Sequence, residues 1–113
     1  MPPFKPFSIP VEVLGTEILQ EQASALGRLG RGLETALADL RAFDAVHPGG
    51  DAVPGPKARR ALVSAAGQAL WMFVVQREAC GLRDSRHVMR DYKVPAEVQE
   101  RMGIFRSHKG GSL

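Results

Sequence analysis

The sequence predicts an all-α protein, a long antiparallel helical hairpin followed by two short C-terminal helices, with the long helices of two copies forming a dimeric four-helix core. Three observations predict it. Apolar residues Leu26, Leu29, Leu33, Ala36, Leu40 and Phe43 recur three and four apart, the seam spacing of paired helices. The stretch from His47 to Pro56 holds three of the glycines and three of the prolines and has no apolar period, so it breaks the pattern as a loop. Beyond it, Leu70-Trp71-Met72-Phe73-Val74-Val75 is apolar all round a helix, more surface than one neighbouring helix can cover.

Residues 1–10 contain four prolines with Phe4, Phe7 and Ile9 between them, which makes an extended arm because proline fixes φ and removes a backbone donor. The first long helix is expected over about 11–45. Ser8 before Pro10 and Thr16 after Gly15 both read as start signals, and the earlier start is preferred. Gly27, Gly30 and Gly32 lie inside it, each costing about 1 kcal/mol relative to alanine. Close approach by another helix is the expected reason, and a kink near Gly30 is the alternative.

The second long helix is expected over about 57–80, ended by Gly81, with Leu62, Ala65, Ala66, Ala69, Leu70 and Phe73 facing the first. Short helices are expected over about 85–92, capped by Asp84 or Ser85, and 95–102, with Pro95 in its first turn and Gly103 at its end. Residues 11–105 form the one helical domain a chain of 113 residues allows, and 106–113 form a flexible tail.

The net charge is +3 but is unevenly spread. Residues 1–56 hold four basic and seven acidic side chains, and residues 57–113 eleven and five. Such asymmetry points either to an anionic partner or to an acidic helix lying beside a basic one. Hydrophobic and charged residues at 44% and 24% argue against disorder. The single cysteine, Cys80, cannot make an internal disulfide. No apolar run spans a membrane and no secretory signal is read at the amino terminus, so a cytoplasmic location without membrane association is expected.

Chemical signatures are sparse. His47, His87 and His108 fall in a loop, a short helix and a tail, so no metal and no cofactor is expected. Cys80 reads as a small apolar residue, because a helix C-terminus disfavours a thiolate. Neither glycine-rich stretch follows a strand, as a phosphate loop would. Glu17 and Glu21, one turn apart, read as a solvated face before they read as an acid–base pair.

The densest polar stretch runs from Gln76 to Tyr92. Arg77, Arg83, Arg86 and Arg90, with Tyr92, are the candidates for binding an anion or a partner. The plainer expectation is that Glu78, Asp84 and Asp91 pair with these arginines and fix the angle between helices. Residues 84–102 also have the outline of a helix-turn-helix. Its turn has Lys93 where glycine is usual, and its second helix carries Glu97 and Glu100 where a reading helix carries basic or amide side chains.

The stretches Glu17-Ile18-Leu19-Gln20-Glu21-Gln22-Ala23-Ser24-Ala25-Leu26-Gly27-Arg28-Leu29-Gly30-Arg31 and Val74-Val75-Gln76-Arg77-Glu78-Ala79-Cys80-Gly81-Leu82-Arg83-Asp84-Ser85 resemble a group of small bacterial proteins catalogued as a domain of unknown function, over roughly residues 11–104. The resemblance implies no reaction, cofactor or ligand residue. The functional expectation is therefore an interaction or scaffold protein acting as a homodimer, with an unknown protein partner, through Leu29, Leu33, Trp71, Met72 and Val75. A nucleic-acid-binding regulator using the basic C-terminal helices is the first alternative, and a small enzyme with a site around residues 76–92 the second.

Overall fold

The computed structural model describes residues 11–47 and 56–110, with side chains over 15–47 and 56–103. The expected proline-rich arm and most of the central loop fall outside the described residues. Four helices follow one another: α1 (Val11–Val46), α2 (Pro56–Ala79), α3 (Arg86–Asp91) and α4 (Ala96–Gly110), and no strand occurs among the described residues. The fold is all-α, as the apolar periodicity requires.

α1 begins at the earlier of the two start signals and is continuous through its three central glycines. It runs antiparallel to α2, since Asp44 of α1 meets Arg59 early in α2 while Gly30 lies against Phe73 near the end of α2. α2 packs on α1 along one face and on α4 along another. It is the middle helix, which explains most of its apolar run: Leu70 and Val74 are sealed and Phe73 nearly so.

The core joins Leu33, Leu37 and Leu40 of α1 to Ala66, Leu70, Phe73 and Val74 of α2, and to Val88, Val94, Val98 and Met102 of the C-terminal part. Full burial of side chains such as Leu33, Leu37, Leu70, Val74 and Val98 contributes about 1.5–3 kcal/mol each relative to exposure. The expected faces are corrected in two places. Leu37, absent from the predicted seam, is buried between Leu33 and Leu40 while Ala36 is only half-buried. Ala65, expected in the core, is exposed, because contact with α4 turns α2 so that Ala66 and Gly67 face inward instead.

Close approach explains glycine at two positions. A Cβ on Gly67 would stand 2.8 Å from the Arg101 Cβ and Cγ and 3.3 Å from its backbone carbonyl carbon, so α4 can lie this near α2 only because Gly67 has no side chain. At Gly30 a Cβ would meet the Tyr92 hydroxyl at 2.9 Å. The same reason does not extend to Gly27 and Gly32: a Cβ would meet only the Arg31 guanidinium of its own helix at the first and nothing within 4 Å at the second.

α2 ends as its sequence predicts. Gly81 takes a φ of +90°, and the Leu82 N–H donates to the Arg77 carbonyl at 2.8 Å while the Gly81 N–H donates to the Glu78 carbonyl at 3.0 Å. This pair of bonds satisfies carbonyls that the last turn would leave free. α3 ends in the same way without a glycine: Lys93 has a φ of 52°, and the Val94 N–H reaches the Met89 carbonyl at 2.9 Å. Asp84 rather than Ser85 supplies the α3 cap, its Oδ1 accepting the Arg86 N–H at 3.0 Å.

The last helix departs from expectation. α4 continues through Gly103 to Gly110, past the expected end at Gly103. Glycine stops a helix by adopting a left-handed conformation, and among the described glycines only Gly81 does so.

Candidate functional site

The five residues expected to gather an anion or partner are distributed around the junction of α2, α3 and α4. Arg77, in the last turn of α2, is half-buried, its guanidinium 5.9 Å from the centre of the Phe73 ring and its Nη2 donating to the Asp84 carbonyl at 3.3 Å. Its Nε is buried without a hydrogen-bond partner. The Tyr92 ring meets Phe73 edge-on with centroids 5.6 Å apart, so Arg77, Phe73 and Tyr92 form one packed column. Burial raises the Tyr92 phenol above its ordinary pKa, and the charge of Glu34 pushes the same way.

Arg83, Arg86 and Arg90 are exposed. Arg86 is held by Asp84, Nε to Oδ1 at 3.2 Å, and this hydrogen bond, with a second from the Arg86 backbone, holds the Asp84 carboxyl below its ordinary pKa. Arg90 approaches Asp91 at 3.6 Å and His87 at 2.7 Å. Acidic neighbours therefore occupy Arg86 and Arg90. Cys80 is half-buried and accepts a hydrogen bond from the Gln76 amide at 3.7 Å. Among the described residues no three His, Cys, Asp or Glu side chains come together as metal ligands, and no helix is long and apolar enough to cross a membrane.

The strongest polar contact lies elsewhere and was not read from the sequence. Arg59 of α2 forks to Asp44 of α1, at 2.8 and 3.0 Å, and to Glu97 of α4, at 2.8 and 2.7 Å. Four charge-assisted bonds thus tie three helices at one end of the bundle. They hold both carboxyls below their ordinary range and raise the guanidinium further above its own. Residues 44, 59 and 97 share no local spacing, so only the tertiary fold reveals the group. Glu97 did carry a signal, as an acid in the first turn of a helix.

The exposed side of α2 is the surface with the clearest pattern. Between Ala61 and Ala79 the exposed positions are Ala61, Ala65, Gln68, Met72, Val75 and Ala79, spaced four and three by turns, and Leu82 continues the spacing past the helix end. Met72, Val75 and Leu82 are 41%, 39% and 45% exposed. Gln68 is the one polar residue on this line and no charge interrupts it. Of the expected dimer residues, Met72 and Val75 therefore lie on an open apolar stripe, and Trp71 and Leu29 are half-buried at the margins of the core. Leu33 is the exception: at 0% exposed it is sealed against α2 inside a single copy, so it presents nothing to a second one.

α1 adds a second apolar surface. With Asp44 opposite Arg59 and Gly30 opposite Phe73, the antiparallel pairing brings the end of α2 level with about Ser24. In the preceding turns of α1, residues 16–21 are all exposed, with Ile18 at 50% and Leu19 at 66%.

Comparison with known proteins gives a single finding. A family described as a family of unknown function, DUF6665, matches residues 8–109. No curated protein and no solved structure matches the chain.

Proposed function

The chain belongs to this family of unknown function, and with no activity to inherit from it we propose a protein–protein interaction or scaffold module that acts as a homodimer through the exposed stripe of α2. The observation that carries this reading is the composition of that stripe. A helix on the surface of a monomer turns charged and polar residues outward, whereas from Ala61 onward α2 turns out Ala61, Ala65, Met72, Val75 and Ala79 with Gln68 alone among them. Their alternating steps are those of a seam that receives another helix, and an apolar line of this length marks an interaction surface. Two copies related by a two-fold axis would bring four long helices together, with Met72 and Val75 central and the exposed Ile18 and Leu19 of α1 available to extend the contact.

The nucleic-acid alternative draws less support, because Arg86 and Arg90 are each held by an aspartate and α4 opens with Glu97. Light scattering on the full chain at micromolar concentration tests the association. The chain mass is 12.3 kDa, and the native protein should scatter as a particle of about twice that mass. Met72→Glu, which places a charge in the seam, should return it to a single copy, while Thr35→Glu on the exposed side of α1 should change nothing. A native protein that stays at one chain mass, or a Met72→Glu protein that still pairs, refutes the reading.

A further inference from the structure

A cleft of about 680 Å³ lies between α1 and the turn joining α3 to α4, and no residue of the α2 stripe lines it. Glu34 and Arg41 stand on one wall with Leu37 between them, and Asp91, Tyr92 and Lys93 form the other. Its lining is thus two acids and two bases. The charges are sorted by position. The Tyr92 hydroxyl sits against Gly30, whereas Glu97 shares Arg59 with Asp44, so the chain from 92 to 97 runs along α1 in the direction from 30 to 44. Glu34 and Arg41, two turns apart on α1, therefore stand at opposite ends of the cleft, with Asp91, Tyr92 and Lys93 across from them.

Two further features single the cleft out. Among the described residues Glu34, Arg41 and Lys93 make no ion pair, although acids and bases line the same hollow. Lys93 also holds the left-handed conformation at the end of α3, where glycine would close the turn with less strain. Strain of this kind collects at functional sites, and Lys93 is one of the residues that line the cleft.

We propose that this cleft binds a short peptide with free termini, its ammonium end at Glu34 and its carboxylate end at Arg41. Glu34 and Arg41 are seven residues apart, about 10 Å along a helix, and three extended residues span about the same length. A free amino acid is too short to reach both ends, and the half-buried Tyr92 ring offers apolar surface to the middle of the peptide.

The test is an NMR titration of the full chain, following the Lys93 amide and the Tyr92 ring, with trialanine, N-acetyl-trialanine, trialanine amide and alanine. Trialanine should shift both signals saturably, and blocking either terminus should weaken binding about fivefold or more. Arg41→Gln should weaken trialanine and erase its advantage over the amide. Arg41 is exposed, and a circular dichroism spectrum identical to the native one confirms that the variant folds. Met72→Glu should leave the titration unchanged, so this inference and the homodimer stand or fall separately. No shift with trialanine at millimolar concentration, equal binding of the blocked peptides, or alanine binding as tightly as trialanine would each overturn the proposal.

Discussion

Replacing Gly67 with alanine isolates the contact that sets the distance between α2 and α4. Two effects oppose each other. Alanine in a helix interior is favoured over glycine by about 1 kcal/mol. Against this, the new methyl would lie 2.8 Å from two Arg101 side-chain carbons and 3.3 Å from its backbone. Side-chain rotation cannot relieve contacts with Cβ and the backbone, so α4 must move away, and overpacking of that kind costs about 1–3 kcal/mol. With Val98 and Met102 of α4 buried in the shared core, the displacement loosens their packing as well. The net expectation is a loss of about 1–2 kcal/mol, or a fall in Tm of roughly 5–10 °C in a domain of this size. Gly32→Ala is the control: it is also in a helix interior, is exposed and meets nothing within 4 Å, so it should gain up to about 1 kcal/mol. Urea unfolding followed by circular dichroism, at one fixed chain concentration because association adds to stability, measures both. If Gly67→Ala proves as stable as Gly32→Ala, the close packing of α2 on α4 is wrong.

Arg59→Gln should destabilise the fold and change its pH dependence. Asp44 and Glu97 have folded pKa values below their unfolded ones, so their pairing with Arg59 stabilises the fold above about pH 4–5 and is lost as the pH falls through the lowered values. Thermal unfolding between about pH 6 and pH 3 should therefore show a shallower acid-side decline in the variant than in the native protein. Tyr92 is the one tyrosine of the chain, so absorbance reads its ionisation directly. Its midpoint should lie above 10.0, and Glu34→Gln should lower it. Because this pKa is raised on folding, the associated stability is present below the unfolded value and lost as the pH climbs through the folded one. Lys93→Gly should raise stability by about 1 kcal/mol by relieving the left-handed residue, as urea unfolding would show.

The sequence made the helices legible because their signals are local. Spacing of three and four marks α1, proline and glycine mark the break before α2, and Gly81 marks its end. What it could not show is how α2 is shared. The apolar run from Leu70 to Val75 announces more than one neighbour, but only the seating of α4 on Gly67 and Ala66 decides that Val74 is covered while Met72 and Val75 stay open. The same tertiary packing leaves Leu37 of α1 buried and Ala65 of α2 exposed. Among the polar residues, the pairing of Arg86 with Asp84 and of Arg90 with Asp91 follows from near neighbours in the chain. The Arg59 fork and the cleft at Glu34 and Lys93 join residues at least 15 positions apart, which no local pattern encodes. Gly103 misleads for a related reason: a glycine signals a helix end only with a turn to follow it, and α4 continues.

Oxidation of the methionines by dilute peroxide tests the use of the α2 stripe most directly. In a single copy Met72 is 41% exposed and Met102 is 9% exposed, so Met102 serves as an internal reference in the same chain. At high chain concentration, the peptide carrying Met72 should oxidise slowly by mass spectrometry, and dilution should accelerate it several-fold while Met102 keeps its pace. If Met72 oxidises at one rate at every concentration, the stripe is open to solvent and the protein does not assemble through it.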